Sequence, residues 1–161
     1  MLKNILGDLM GRLVLFLLLL VFVSCSQNDE KQSTNQESNT VTTMSNIDKV
    51  YSNYKEAFLV AQQKDKPMFI LFTTKHCRWC RKLKETTLKD QEIIKRLNNE
   101  FIVLLLDKDL SSYPSKYKVT AVPTIYITNK EEEVFTSIVG YHKNPHDYIK
   151  WFNYVKIELS I

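Results

Sequence analysis

Two continuous apolar runs of strand length constrain the fold of this chain more than any other feature. Residues 68–73 read MFILFT and residues 101–107 read FIVLLLD. Neither run alternates apolar with polar residues, which is typical of strands buried on both faces of a sheet. Between them lie two helical patterns, one running to about Leu88 and one with Asp90 as its N-cap. The sequence therefore predicts a strand–helix–strand crossover with helices packed on the sheet.

Two shorter segments predict the other half of the sheet. Residues 124–128 (TIYIT) and 133–140 (EVFTSIVG) have strand length and are separated by NKEE, a hairpin loop. A short turn of helix is expected before them, over residues 112–119 (SYPSKYKV). The predicted fold class is α/β, with a mixed four-stranded sheet sandwiched between helices.

Helices are predicted at both ends of this region. Apolar residues recur at helical spacing from Ile47 to Ala61, and Pro67 ends that segment. Near the C-terminus, Asn144 is a candidate cap with Pro145 at the first helical position. The folded domain is therefore expected to span residues 47–161.

The N-terminal residues have the composition of an export signal. Residues 1–12 include two basic residues, and Leu13–Val23 is an unbroken apolar run of eleven. Such a run fits the apolar region of a secretory signal and is short for a membrane span. The segment VFVSC resembles a bacterial lipobox, which implies lipid attachment at Cys25, and Phe22 stands where such signals most often have leucine. The alternatives are an ordinary signal peptide or an uncleaved anchor, and the rest of the chain is expected outside the cytoplasm.

Residues 26–46 predict a flexible tether. Ser, Thr, Asn, Gln and charged residues dominate this segment, whose only apolar residues are Val41 and Met44. Such a segment cannot bury enough apolar surface to offset the entropy lost on ordering. The expected organisation is a signal at residues 1–25, a disordered tether at 26–46 and one domain at 47–161.

Charge and glycine content exclude two classes of function. The net charge is +4, and the short basic runs are broken by acidic residues, so no nucleic-acid-binding stripe is expected. The chain has only three glycines and no Gly-rich phosphate loop. No nucleotide or organic cofactor is therefore predicted.

The stretch HCRWCRKLKE, residues 76–85, carries the candidate chemistry. Cys77 follows a buried strand at the predicted start of a helix, where unpaired N–H groups and the helix dipole favour a thiolate. Nearby cations would lower the pKa of Cys77 further. These cations are Lys75, Arg78, Arg81 and Lys82, with His76 adjacent. Cys80 lies one helical turn later, within disulfide reach and more buried. Cys77 is therefore predicted to be the nucleophile and Cys80 the resolving thiol.

Other uses of this cysteine pair stay open. A zinc site needs a second pair of ligands, but the third and last cysteine is Cys25 at the signal boundary. His76 could add one ligand, whereas His142 and His146 lack supporting spacing. A static structural disulfide is a second alternative. Copper(I) binding by two thiolates is a third, although no Met or His cluster adds specificity.

The order of these features resembles the thioredoxin-like superfamily. The similarity covers about residues 50–158 and rests jointly on KPMFILFTTKHCRWCRKLKETTLKDQEII and KYKVTAVPTIYI. Within the superfamily, the chain is most similar to the periplasmic branch. Domains of that branch begin with a helix instead of a strand and often have an extra helix after the active-site helix.

The resemblance implies roles for individual residues. Cys77 and Cys80 occupy the redox pair, and Pro123 occupies the position of the family's cis-proline. The Val122–Pro123 bond is then expected to be cis and to lie against the sulfurs, with the Val122 backbone pairing with substrate. A trans proline at a strand start is the alternative. Gly140 fits the family's glycine after the last strand.

The chain departs from the thioredoxin pattern around the cysteines. His76 replaces the aromatic residue before the first cysteine, and Arg78 and Trp79 replace Gly-Pro between the two. Trp79 is interpreted either as an aromatic that docks the partner or as a cap over the disulfide. The cationic setting predicts a disulfide more oxidising than that of thioredoxin.

A further departure concerns proton transfer. Leu71 stands six residues before Cys77, where thioredoxins have a buried acid that exchanges a proton with the resolving thiol. Glu85 on the next helical turn is an alternative carboxylate, although a surface position fits it better.

Three functions are consistent with these observations. The favoured one is a thiol–disulfide oxidoreductase whose only redox group is the Cys77–Cys80 disulfide. Its expected partners are disulfide-containing exported proteins and a redox protein at the membrane. Its expected place is the periplasmic face of a bacterial envelope, anchored by lipid, with the outer membrane favoured slightly by Ser26. The alternatives are a non-catalytic adaptor of the same fold and a copper(I) or cytochrome-maturation helper that uses the same cysteines.

Overall fold

A five-stranded mixed sheet forms the centre of the structure, a computed structural model that describes residues 44–160. The strands are β1 (Val50–Tyr51), β2 (Met68–Thr73), β3 (Ile102–Asp107), β4 (Thr124–Thr128) and β5 (Val134–Val139). The helices are α1 (Tyr54–Lys64), α2 (Arg78–Glu85), α3 (Gln91–Glu100) and α4 (His146–Glu158), with a 3₁₀ helix at Thr87–Lys89. The strand order is β1-β3-β2-β4-β5.

The strand directions confirm the predicted α/β fold class. Strands β1 and β2 both run parallel to β3, and α2 and α3 form the crossover between β2 and β3. Strand β4 runs antiparallel to β2 and pairs with β5 as a hairpin. The sheet therefore combines a parallel half with an antiparallel half.

Apolar side chains on the two sheet faces build two separate cores. On one face, Phe69 and Leu71 of β2 pack with residues of α2, α3 and α4. On the other, Met68, Ile70 and Phe72 pack with residues of α1. All six residues of β2 are buried, which explains why the strand carries no polar alternation.

The first helix begins later than the sequence predicted. Asn53 caps α1, its side chain accepting a hydrogen bond from the N–H of Glu56 at 3.0 Å. The chain before it forms β1, so the domain begins with a short strand and the sheet has five strands instead of four. The spacing of Val50 and Tyr51 fits a helical stripe equally well, but the Asn53 cap fixes the start of α1 after them.

The predicted short helix around Pro114 is also wrong. Residues 112–119 form turns and irregular chain, with the N–H of Tyr117 bonded to the carbonyl of Pro114 at 3.2 Å. Tyr117 is buried against α1, stacking at an angle with Tyr54. The segment therefore makes a single i→i+3 turn, and the buried Tyr117 ring anchors it against α1.

The packed domain begins before the boundary that composition suggested. Met44, which was placed in the tether, is 7% exposed and belongs to the core with Ile47. The N–H of Ile47 donates to the Met44 carbonyl at 3.0 Å, and Asn98 accepts from the N–H of Asp48 at 3.0 Å. The tether boundary at Asn46 is thus too late by at least three residues, because Met44 itself belongs to the core.

The predicted signal and Cys25 lie outside the described residues. So does the tether before Met44. Within residues 44–160, no helix is both long enough and apolar enough to cross a membrane.

Candidate active site

Three chain segments converge at one end of the sheet. Thr124, the first residue of β4, is paired with Phe72 near the end of β2 and with Val139 at the end of β5. Because β4 runs antiparallel to both neighbours, its start lies beside their ends. The cysteine segment after β2, Pro123 before β4 and Gly140 after β5 are therefore neighbours.

The two cysteines form a disulfide at the start of α2. The Sγ atoms of Cys77 and Cys80 are 2.08 Å apart, and their Cα atoms are 5.2 Å apart. Cys77 is the N-cap of α2, and its Sγ accepts a hydrogen bond from the N–H of Cys80 at 3.0 Å. When the disulfide is reduced, this N–H and the helix dipole stabilise negative charge on the Cys77 sulfur.

Burial distinguishes the two sulfurs. Cys80 is 2% exposed and belongs to the buried face of α2, whereas Cys77 is partly exposed. An incoming disulfide can therefore approach Cys77, and Cys80 is screened from it. The roles predicted from the sequence, nucleophile for Cys77 and resolving thiol for Cys80, stay predictions.

The Val122–Pro123 peptide bond is cis, as the resemblance implied. Pro123 is buried, and its carbonyl accepts a hydrogen bond from the N–H of Gly140 at 2.8 Å. Within residues 44–160, no backbone hydrogen bond involves Val122, which is half-buried. The N–H and carbonyl of Val122 are therefore not paired with other backbone groups of the described residues.

Trp79 packs beside the disulfide against a residue that sequence reasoning missed. Its ring is stacked on Tyr141, with centroids 5.6 Å apart and an interplanar angle of 18°. Trp79 is still 47% exposed. The Nζ of Lys82 lies 5.3 Å from the Trp79 centroid and 5.2 Å from that of Tyr141, and the Arg78 Cζ is 5.3 Å from Trp79. We call these four residues the aromatic–cationic platform.

The position of Tyr141 is set by Thr86 at the end of α2 and by Gly140, the residue before it. Its hydroxyl is hydrogen-bonded to the hydroxyl of Thr86 at the end of α2, at 3.1 Å. This hydrogen bond, aided by nearby Lys82, lowers the pKa of Tyr141. Gly140 precedes it with a φ of +88°, a conformation that L-residues rarely adopt. The glycine after the last strand was the only sequence signal that pointed to this position.

The other predicted residues of the cysteine segment lie at the surface. Lys75, His76 and Arg81 are exposed. Leu71, at the position of the family's buried acid, is fully buried in the core, and Glu85 is exposed. The surface position expected for Glu85 is thus confirmed. Arg78 and Lys82 face the Trp79 ring, which the sequence did not indicate.

Metal binding was the main chemical alternative for the cysteines. Within residues 44–160, no group of three or more His, Cys, Asp or Glu side chains is placed to hold a metal ion. His142, considered as a zinc ligand, instead contacts Asp147 at 3.4 Å and the Val139 carbonyl at 3.2 Å.

Comparison of the structure with solved ones supports the fold. A thioredoxin from Thermus thermophilus aligns with a TM-score of 0.56 and 22% identity, over 68% of this chain and 88% of that one. A DsbH oxidoreductase aligns with a TM-score of 0.52 and 20% identity, over 69% and 84% of the two chains. At these identities the likeness is one of fold.

Comparison of the sequence gives partial matches to curated proteins and a match to one family. Mouse anterior gradient protein 3 is 30% identical over 96 residues, which cover 56% of this chain and 55% of that protein. Mouse spermatogenesis-associated protein 20 is 33% identical over 55 residues, 34% of this chain and 7% of that protein. The chain thus spans about half or less of these curated relatives. The family described as thioredoxin-like domain matches residues 54–156. This match covers more than half of the chain, which therefore belongs to the thioredoxin-like domain family.

Proposed function

We propose that the chain is a thiol–disulfide oxidoreductase that acts on exported proteins through Cys77. The observation that carries the proposal is the Cys77–Cys80 disulfide at the N-terminus of α2, with the sulfur of Cys77 bonded to a helix N–H and that of Cys80 buried. A purely structural disulfide does not require one accessible sulfur placed on a helix dipole.

The proposed reaction consists of two exchanges. The Cys77 thiolate of the reduced chain attacks a substrate disulfide, forming a mixed disulfide and releasing one substrate thiolate. The Cys80 thiol then loses its proton and attacks the Cys77 sulfur, which releases the second substrate thiolate. Two electrons pass from the dithiol to the substrate, and the Cys77–Cys80 disulfide is formed. The reverse sequence oxidises a substrate dithiol.

The loop that contains Val122 and the cis-proline Pro123 is proposed to position the substrate. A substrate segment in extended conformation would pair with the Val122 backbone, which places its cysteine against Cys77. Pro123 contributes no N–H of its own and holds the loop in its conformation through the Gly140 hydrogen bond.

The proposed place of action is the bacterial cell envelope. The support is the sequence alone, through its apolar signal and the lipobox ending at Cys25. A lipid on Cys25 would anchor the chain at the periplasmic face, where exported proteins with disulfides and a membrane redox partner are expected. The outer membrane is favoured slightly over the inner one by Ser26.

The first test uses single cysteine variants of the full-length chain. We expect Cys77→Ser to abolish reduction of a small disulfide by the dithiothreitol-charged protein. Cys80→Ser should instead accumulate a mixed disulfide with substrate, visible by mass spectrometry. Cys25→Ser is the matched control and should leave exchange unchanged. Retained exchange in Cys77→Ser would refute the mechanism, because the reaction would then not pass through Cys77. No exchange by the unmodified chain would favour an adaptor role.

The second measurement is the reduction potential of the pair in glutathione buffers. The cationic setting leads us to expect a value above that of thioredoxin, which is about −270 mV. A value near −120 mV would indicate an oxidant or an exchanger. A value at or below that of thioredoxin would contradict the expected effect of the cations and favour a reductase that needs a membrane electron donor.

A further inference from the structure

We infer that the aromatic–cationic platform binds acidic residues next to the reacting cysteine and so selects disulfides in acidic segments. The inference rests on the proposed function, because it names the substrate class of the same disulfide. The platform consists of Trp79, Tyr141, Lys82 and Arg78. It lies beside Cys77 because three of these residues belong to α2, whose N-cap is Cys77, and Tyr141 stacks on Trp79.

The platform is a fixed surface. The Trp79–Tyr141 stack joins α2 to the loop after β5, and the Thr86 hydroxyl holds the Tyr141 ring from the end of the same helix. The N–H of Gly140 is in turn bonded to the carbonyl of Pro123. Both the stack and the cis-proline loop are therefore held in one arrangement before a substrate arrives, which lowers the entropy cost of docking.

The cations of this surface are not neutralised by neighbouring acids. Residues 75–82 contain four Lys or Arg residues, one His and no Asp or Glu. In the described part of the chain, none of the ion pairs involves Lys75, Arg78, Arg81 or Lys82. Some lysines elsewhere are paired, as Lys116 is with Glu132 at 2.6 Å and Lys130 with Asp65 at 2.6 Å. The positive charge at the active site is therefore available to a partner.

The two aromatic rings do not replace such a partner. A cation over an exposed ring gains only about 0.5–1 kcal/mol. A carboxylate can accept hydrogen bonds from Lys82 or Arg78, while apolar parts of the same peptide pack on the half-exposed Trp79 ring. Charge complementarity of this kind raises the association rate and sets the partner preference.

The distances suit residues close to the substrate cysteine. Lys82 follows Cys77 by five residues in helix α2, which corresponds to a rise of about 7.5 Å. An extended peptide advances about 3.3 Å per residue. Residues two or three positions from the reacting cysteine can therefore reach the platform while the cysteine lies at Cys77.

The test compares three peptides that differ only at those positions. Each contains one intramolecular disulfide, flanked by two Glu, two Gln or two Lys residues, and dithiothreitol regenerates the full-length chain. We expect kcat/KM to be about tenfold higher for the Glu peptide than for the Lys peptide at low salt, and the ratio to fall in 0.5 M salt. The Lys82→Gln/Arg78→Gln double variant should bring the Glu-to-Gln ratio close to one.

Two controls separate docking from other effects. Lys156→Gln removes one positive charge at an exposed residue near the end of α4, away from the platform, and should leave the peptide ratios unchanged. Hydroxyethyl disulfide, which is small and neutral, reports the intrinsic reactivity of Cys77 in every variant. A variant that changes the rate with hydroxyethyl disulfide has altered thiol reactivity. The inference is tested by the ratios of kcat/KM between peptides, from which such a change cancels.

The outcomes are distinct. Equal rates for the three peptides, or a preference for the Glu peptide that survives in the double variant, would overturn the inference and leave the proposed function standing. Failure to reduce hydroxyethyl disulfide at all would overturn the proposed function and the inference with it.

Discussion

Gly140 shows how one backbone conformation arranges the candidate active site. Its φ of +88° turns the chain after β5 so that its N–H meets Pro123 and the next side chain, Tyr141, reaches Trp79. A Cβ atom at this position would meet nothing within 4 Å. The requirement for glycine is therefore one of conformation and not of space.

Gly140→Ala should consequently destabilise the domain without a steric clash. We expect the free energy of unfolding to fall by about 1–2 kcal/mol, the usual cost of a left-handed conformation for an L-residue. Urea unfolding measures the change, with Ser137→Ala on the exposed side of β5 as the control. An unchanged midpoint would mean that the turn adopts another conformation at no cost.

Some positions in the candidate site could be predicted from local sequence alone. The segment around Cys77 and Cys80 indicates a helix start, and the segment around Pro123 indicates a strand start. The stack of Trp79 on Tyr141 joins residues 62 positions apart, so no local pattern encodes it. Its partner could be found only once the ends of β2 and β5 were placed side by side.

At the scale of elements, a hydrogen-bonded group ties α1 to the hairpin at the other end of the sheet. The Tyr54 hydroxyl donates to the Glu132 carboxylate at 2.6 Å and contacts the Tyr117 hydroxyl at 2.9 Å. Lys116 pairs with the same carboxylate. Burial, followed by the hydrogen bond to Glu132, raises the pKa of Tyr54. The neutral hydroxyl is thus the form that the folded state favours.

Tyr54→Phe should therefore weaken the domain and change its alkaline behaviour. Loss of a hydrogen bond to a charged group costs about 1.5–3 kcal/mol at neutral pH. Because the pKa of Tyr54 is higher in the folded chain, its contribution is complete below the unfolded value of about 10 and is lost as pH rises above it. The variant should show a shallower loss of stability above about pH 10.

The matched control for Tyr54 is Tyr126→Phe. The Tyr126 hydroxyl donates only a long hydrogen bond, 3.4 Å, to the Lys118 carbonyl. At each pH from 7 to 11, the denaturant midpoint of Tyr126→Phe should be close to that of the unmodified chain. If Tyr54→Phe and Tyr126→Phe have the same profile as the unmodified chain, the group formed by Tyr54, Tyr117 and Glu132 does not stabilise the fold.

Elements differ in how well the sequence determined them. The bounds of β2 were predicted without error because Pro67 precedes it and every residue from Met68 is apolar until Thr73. The start of α1 was missed because apolar residues at positions 47, 50, 51 and 54 suit a helix as well as a strand followed by a cap. Asp90 was identified correctly, since its side chain accepts from two N–H groups of α3.

At the scale of the whole molecule, the start of the domain is set by packing rather than by composition. Met44 lies in a polar stretch, yet it is buried on the same face of the sheet as Phe69 and Phe101. Composition averages over a window and cannot detect a single anchoring side chain.

Met44→Ala tests this boundary. Truncation of a buried methionine costs about 2 kcal/mol or more, so the unfolding midpoint should shift clearly. Ser45→Ala changes an exposed neighbour and should have no effect. Equal midpoints for both variants would place the start of the domain after Met44, as the sequence alone suggested.

The strand at the first edge of the sheet has a further consequence for a chain that is proposed to work at a crowded surface. Strand β1 has only two residues, so it offers a neighbouring molecule very few unpaired backbone groups. At the opposite edge, the pairing of β5 with β4 is shifted between Ile127 and Thr128. Short and irregular edges discourage strand addition between copies. We therefore expect strand addition to be disfavoured where many such domains lie side by side.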